Sequence, residues 1–172
     1  MFDIGADSDF FDFRFAFRNS YDKSMSVAFV AGTAVMICSN GMVLGEMQFV
    51  RKHTGSVADE LTERIKSTTG ALSDVLDKAG RHAEQMKNIA LNNTQVAELC
   101  GRWFMEQEII RSSQLNIIKE QLKNPDHEEF AESNLWSVYN HATHALKKTA
   151  PYEYINKYKD LHNFVEAEYK LV

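Results

Sequence analysis

The sequence predicts an α+β fold: an N-terminal three-stranded antiparallel meander packed with a larger helical part that contains a long helix or helical hairpin. Three observations predict it. FFDFRFAFRNSY sets Phe11, Phe13, Phe15 and Phe17 on alternate positions against Asp12, Arg14, Ala16 and Arg18, the period of a half-buried strand. VAFVAGTAVMIC and MVLGEMQFVRKH follow, separated by Ser39-Asn40-Gly41, whose Asn-Gly pair suits a tight hairpin. Farther on, Leu61, Ile65, Thr68, Leu72, Val75, Ala79, His82, Met86 and Ile89 recur at alternating spacings of four and three, which makes a heptad seam.

A chain of 172 residues is the size of one domain. It is read as a single unit, 1–172, with the meander at 9–53, long helices at 56–123 and a C-terminal helix pair at 133–169. The helix that carries the seam would run from Val57 to Asn92, about 50 Å long at 1.5 Å per residue, so it must project, bend or pair. Gly70 and Gly80 are the points where it would break. Thr54 or Ser56 caps it, and Asp59 and Glu60 suit its first turn. A second helical pattern follows Asn93-Thr94 through Val96, Leu99, Trp103, Phe104, Ile110, Ile117, Ile118 and Leu122, folding back antiparallel until Asn124-Pro125 stops it. Ser133 caps a third helix with Leu135, Trp136, Tyr139, Thr143 and Leu146. Pro151 introduces the last, which carries Tyr154, Tyr158, Leu161, Phe164 and Val165.

With 44% apolar and 25% charged residues the composition is that of a globular protein. No apolar run approaches the roughly 18 residues needed to cross a bilayer, so no membrane association is expected. The opening MFDIGADSDFFDF is acidic and aromatic, unlike a secretory signal. Cys38 and Cys100 form no CxxC, which fits a reducing, cytoplasmic setting. The net charge of −5 argues against a general duplex-DNA binder, because phosphate affinity comes from Lys and Arg. The charge is unevenly placed, however: Asp3, Asp7, Asp9 and Asp12 crowd the start, whereas Arg51, Lys52 and His53 stand together, as do Lys147 and Lys148.

In RNSYDKSMS, Asn19, Ser20, Asp22 and Ser24 favour a turn through local hydrogen bonds; alternatively, Arg18 and Lys23 grip a phosphate or carboxylate. No glycine lies between Gly5 and Gly32, which excludes a P-loop. RKHTGS brings Arg51, Lys52 and His53 to the start of a helix, where free N–H groups attract anions, or else marks only a strand end and a cap. In a meander the first turn and the end of the third strand share one end of the sheet, so Arg18, Lys23, Arg51, Lys52 and His53 are expected to converge. NHATHALKKTAPYEYINKYK interleaves Lys147, Lys148, Lys157 and Lys159 with Tyr152, Tyr154 and Tyr158. That is either a surface on which single strands stack or a helix pair with Tyr in its core. The anion- or nucleic-acid-binding set is thus Arg18, Lys23, Arg51, Lys52, His53, Lys147, Lys148, Tyr154, Lys157 and Tyr158.

No catalytic residue, metal or cofactor is expected. His141, His144 and His162 have no Asp, Glu or Cys at ligand spacing beside them. Cys38 sits at an apolar strand end and reads as a buried structural cysteine rather than a nucleophile. His82-Ala83-Glu84 lacks the PCxxC of a zinc deaminase, and no carboxylate pair stands out for acid–base work.

Several strings together, RNSYDKSMS, AGTAVMICSNGMVLG, RKHTGS and LWSVYNHATHALKKTAPYEYINKYKDLHNF, resemble a phage- and plasmid-associated group called domain of unknown function 932. The resemblance runs over Phe17 to Ser56 and Ser133 to Phe164. It is carried by Arg18-Asn19-Ser20-Tyr21-Asp22-Lys23-Ser24, Cys38-Ser39-Asn40-Gly41, Lys52-His53-Thr54-Gly55, and Trp136 with Tyr139, Asn140 and Thr143. Members of the group are commonly longer, so the resemblance implies a short version in a mobile-element context, within the cytoplasm of an infected or plasmid-bearing bacterial host. It implies no reaction; by association with replication and recombination genes it suggests nucleic-acid handling. The function expected is therefore a phage- or plasmid-encoded non-enzymatic protein that binds single-stranded nucleic acid. The alternative is a protein-interaction factor that inhibits a host enzyme or defence system through the acidic N-terminus or the seam. In either case the 61–89 seam would serve self-association into a homo-oligomer.

Overall fold

A computed structural model describes the backbone of residues 11–18, 27–35, 40–42, 48–52, 57–70 and 72–172, with most side chains from Lys52 onward. Strand β1 (Phe11–Arg18) pairs antiparallel with β2 (Val27–Val35), Phe11 facing Val35 and Arg18 facing Ala28. Two short strands, β3 (Asn40–Met42) and β4 (Gln48–Arg51), both pair antiparallel with β2. β3 lies along Thr33–Val35 and β4 along Val27–Val30.

The expected α+β fold built on a three-stranded meander is overturned. Helices hold most of the described residues, and the described apolar core, from Ala79 to Leu171, lies wholly in the helical part. The helices bury apolar faces on one another, and α2, α5 and α6 also contact the sheet. Within the span expected for the third strand, the described residues form β3 and β4, both paired with β2.

The span of the long seam helix holds α1 (Val57–Gly70) and α2 (Leu72–Lys87). The second pattern divides into α3 (Asn93–Met105) and α4 (Ser112–Lys123). Asn92 caps α3 with a reciprocal box: its side chain accepts from the Gln95 N–H at 3.0 Å, and the Gln95 side chain accepts from the Asn92 N–H at 2.9 Å. α4 ends before Asn124-Pro125, and a 3-10 turn at Glu128–Phe130 leads to α5 (Leu135–Leu146). The cap of α5 is Asn134 rather than Ser133, its side chain accepting from the Ser137 N–H at 2.9 Å. Pro151 stands at the first position of α6 (Pro151–Tyr169), where its missing N–H costs nothing.

α5 is the centre of the core: all of its residues except His144 are buried. Two of its polar members bond along the helix, Asn140 Nδ2 donating to the Trp136 carbonyl and Thr143 Oγ1 to the Asn140 carbonyl, each at 2.9 Å. On α2, the buried Ala79, His82, Ala83 and Met86 turn to this core with Val75 and Leu76 beside them. Of the heptad seam, Ala79, His82 and Met86 are thus buried inside the chain, while Leu61, Ile65, Val75 and Ile89 stay half-exposed. A short antiparallel bridge, Leu91 N–H to the Ser133 carbonyl and Leu135 N–H to the Ile89 carbonyl, both 2.9 Å, ties the end of α2 to the start of α5.

Candidate functional site

Backbone register decides where the first set of cations stands. Arg18 faces Ala28, Ala28 also faces Val50, and Val27 faces Arg51, so Arg18 and Arg51 flank the start of β2 at one end of the sheet. Lys52 continues from Arg51 and is exposed. Asp12 is paired with Ala34, at the other end of β1, about 20 Å away at 3.3 Å per residue. Arg14 stands between them, opposite Gly32, so the described end near Val27 carries cations and no acid, while the other end holds both Asp12 and Arg14. Lys23 and His53 lie outside the described residues, as does Cys38. The first turn of α1 already carries Asp59 and Glu60, which occupy the positive end of the helix dipole, so an anion at this end would depend on side-chain cations.

The Lys/Tyr segment divides. Lys147 and Lys148 are exposed at the end of α5. Tyr158 is completely buried and its hydroxyl donates to the Thr143 carbonyl at 2.6 Å. Its ring therefore belongs to the core, with Tyr154 half-buried against it at a ring distance of 4.4 Å, and no face of Tyr158 is open to a base. Lys157 Nζ donates to the Glu108 carbonyl. The expectation of a Tyr stacking surface is corrected for Tyr158: the i, i+4 spacing from Tyr154 points it at α5.

A constellation that the sequence reading missed lies between α2, α5 and α6. His82 and His162 are fully buried with stacked rings, and His82 Nδ1 lies 3.2 Å from His162 Nε2. The other nitrogen of His162, Nδ1, is 3.3 Å from the Tyr139 hydroxyl, and Glu166 Oε2 is 4.0 Å from His162 Nε2. Lys78 Nζ binds the second carboxylate oxygen, Oε1, at 2.9 Å. Burial lowers the pKa of both imidazoles, that of His162 to about 4, so both are neutral at neutral pH. Burial alone would raise Glu166, but the hydrogen bond and charge of Lys78 hold it below the usual carboxylate range. His82 Nε2 is buried without a hydrogen-bond partner among the described residues. Two signals were legible: a lone histidine in an apolar seam, and His162 and Glu166 four apart on one helix face. Their meeting was not, because His82 and His162 are 80 residues apart. His141 and His144 have other neighbours, His141 the Phe130 ring and His144 the Asp126 carboxylate at 3.8 Å.

A cleft of about 590 Å³ opens between α3, α4 and the segment 130–133, with Cys100, Ile118, Leu122, Phe130 and His141 on its wall. Burial pushes the Cys100 thiol up to about 11, so it is not a poised nucleophile.

These features define a mostly helical protein with a small N-terminal sheet, a basic sheet end and a buried polar cluster. The chain belongs to the family described as Domain of unknown function (DUF932), whose profile matches residues 3–166. No solved structure matches it, and no helix among the described residues is long and apolar enough to cross a membrane.

Proposed function

We propose that the protein binds single-stranded nucleic acid, without catalysing a reaction on it, as part of replication or recombination of a phage or plasmid. The observation that carries the reading is the register that brings Arg18 and Arg51 to one end of the sheet with exposed Lys52 beside them. Clustered cations on an acidic chain recruit phosphates locally while the remaining surface repels a duplex laid across it. Lys147 and Lys148 extend the cationic surface, and Tyr154, half-exposed, is the one tyrosine of the expected set left to contact a base. Fluorescence anisotropy with a labelled single-stranded 30-mer tests it: the Arg51→Ala/Lys52→Ala variant should bind at least tenfold more weakly. Equal binding by the two proteins would remove the basic end from the account.

A second reading, a protein-interaction factor acting on a host enzyme or defence system, draws support from the cleft between α3 and α4. Its wall is mainly apolar and Leu122 on its rim is 42% exposed, a character that suits an apolar side chain of a partner. Leu122→Lys should abolish capture of a host protein that the unaltered chain retains; unchanged capture would exclude the cleft.

A further inference from the structure

We infer that His82, His162 and Glu166 form a binding site for one divalent transition metal of the zinc class, which ties α2 to α6. One ligand atom from each of the three residues lies within 4.8 Å of the other two. The 3.2 Å between His82 Nδ1 and His162 Nε2 is close to the edge of a tetrahedron of ligands about 2.0–2.1 Å from a central zinc. Glu166 Oε2, 4.0 Å from His162 Nε2, needs only a small side-chain rotation to complete the face. A water is left as the fourth ligand.

The surroundings match what such ligands require. His162 uses Nδ1 on the Tyr139 hydroxyl, which fixes its ring and leaves Nε2 for the metal, the outer hydrogen bond that metal-bound histidines make. Lys78 engages only Oε1 of Glu166 and thereby turns Oε2 towards the imidazoles. Its positive charge weakens the site but does not block it, because it stands on the far oxygen. Since both histidines are fully buried, the metal would act as a clasp between helices and not as a catalytic centre. The inference does not depend on nucleic-acid binding, and failure of either leaves the other standing.

The test uses the full chain, stripped with chelator and titrated with Co(II) and then Zn(II). Visible absorption reports tetrahedral cobalt, and thermal melting reports the clasp. The expected result is one cobalt per chain, displaced by zinc, with a rise in Tm on zinc addition. Glu166→Gln should lose at least tenfold in affinity, and Tyr139→Phe, which frees His162 Nδ1, about tenfold. Both changes are nearly isosteric, and far-UV circular dichroism of the metal-free variants verifies their fold. His144→Gln, which removes the surface His144–Asp126 pair, should bind as the unaltered chain does. Absence of cobalt absorption and of any Tm shift in the unaltered chain would overturn the site. So would undiminished binding in Glu166→Gln, or loss of binding only in His144→Gln.

Discussion

Acidification should destabilise the protein through His141 by an amount that can be worked from its position. Its side chain is on α5, buried, with the Phe130 ring on one side. Burial pushes its pKa from the ordinary 6.5 down to about 4, with the charge of His144 adding to the effect; a backbone hydrogen bond at Phe130 and the charge of Asp126 oppose it. In the unfolded chain His141 takes up a proton near pH 6.5, whereas in the folded chain it does so only near pH 4. Between these values the unfolded state binds more protons, so stability is complete above about 6.5 and falls as the pH drops. At about 1.4 kcal/mol per pH unit, the full loss by pH 4 is about 3 kcal/mol from this group.

The assay is urea unfolding followed by circular dichroism at intervals between pH 7 and pH 4.5, in chelator, on the unaltered chain and on His141→Gln. The variant will differ in absolute stability, so the slopes are compared. The unaltered chain should lose about 1 kcal/mol more per pH unit than the variant between pH 6 and 4.5. Parallel curves would refute the reasoning, since they would mean that His141 takes up its proton equally in both states.

Asn92→Ala removes one half of the capping box at the start of α3 and should cost about 1 kcal/mol in urea unfolding. Asn92→Ser, which keeps a capping oxygen, should recover most of it. Tyr158→Phe loses the hydrogen bond to the Thr143 carbonyl and should cost about 1 kcal/mol while oligonucleotide affinity is unchanged. A fall in affinity with stability intact would return Tyr158 to the binding surface.

Helix stops and starts were legible where the chemistry is local. Asn124-Pro125 ends α4 and Pro151 begins α6. The antiparallel pairing of β1 with β2 was legible from the alternating phenylalanines, whereas Asn40 and Gly41, expected in a turn, stand inside β3 opposite Val35 and Ala34. The balance of the fold was not. The apolar residues of α5 read as one stripe with Thr143, yet Ser137, Asn140 and His141 are buried as well, because α2, α4, α6 and β3 all pack on α5. A polar residue that bonds to its own helix can be buried at little cost, and hydrophobic periodicity does not register it. The seam was ambiguous for a related reason: a four-three repeat signals an apolar face without saying whether its cover comes from the same chain or another. At the candidate sites, Arg18 and Arg51 came together through register, a property of strand order. His82 and His162 met through the packing of α2 on α6, which no local pattern encodes.

The salt dependence of single-stranded oligonucleotide binding tests the central claim most directly. Each phosphate neutralised on a single strand contributes about −0.7 to the slope of log K against log salt. If Arg51 and Lys52 both contact phosphates, the Arg51→Ala/Lys52→Ala variant should have a slope shallower than the unaltered chain by about 1.4. Binding that is absent, or whose slope is the same in the two proteins, would contradict a nucleic-acid site at the basic end of the sheet.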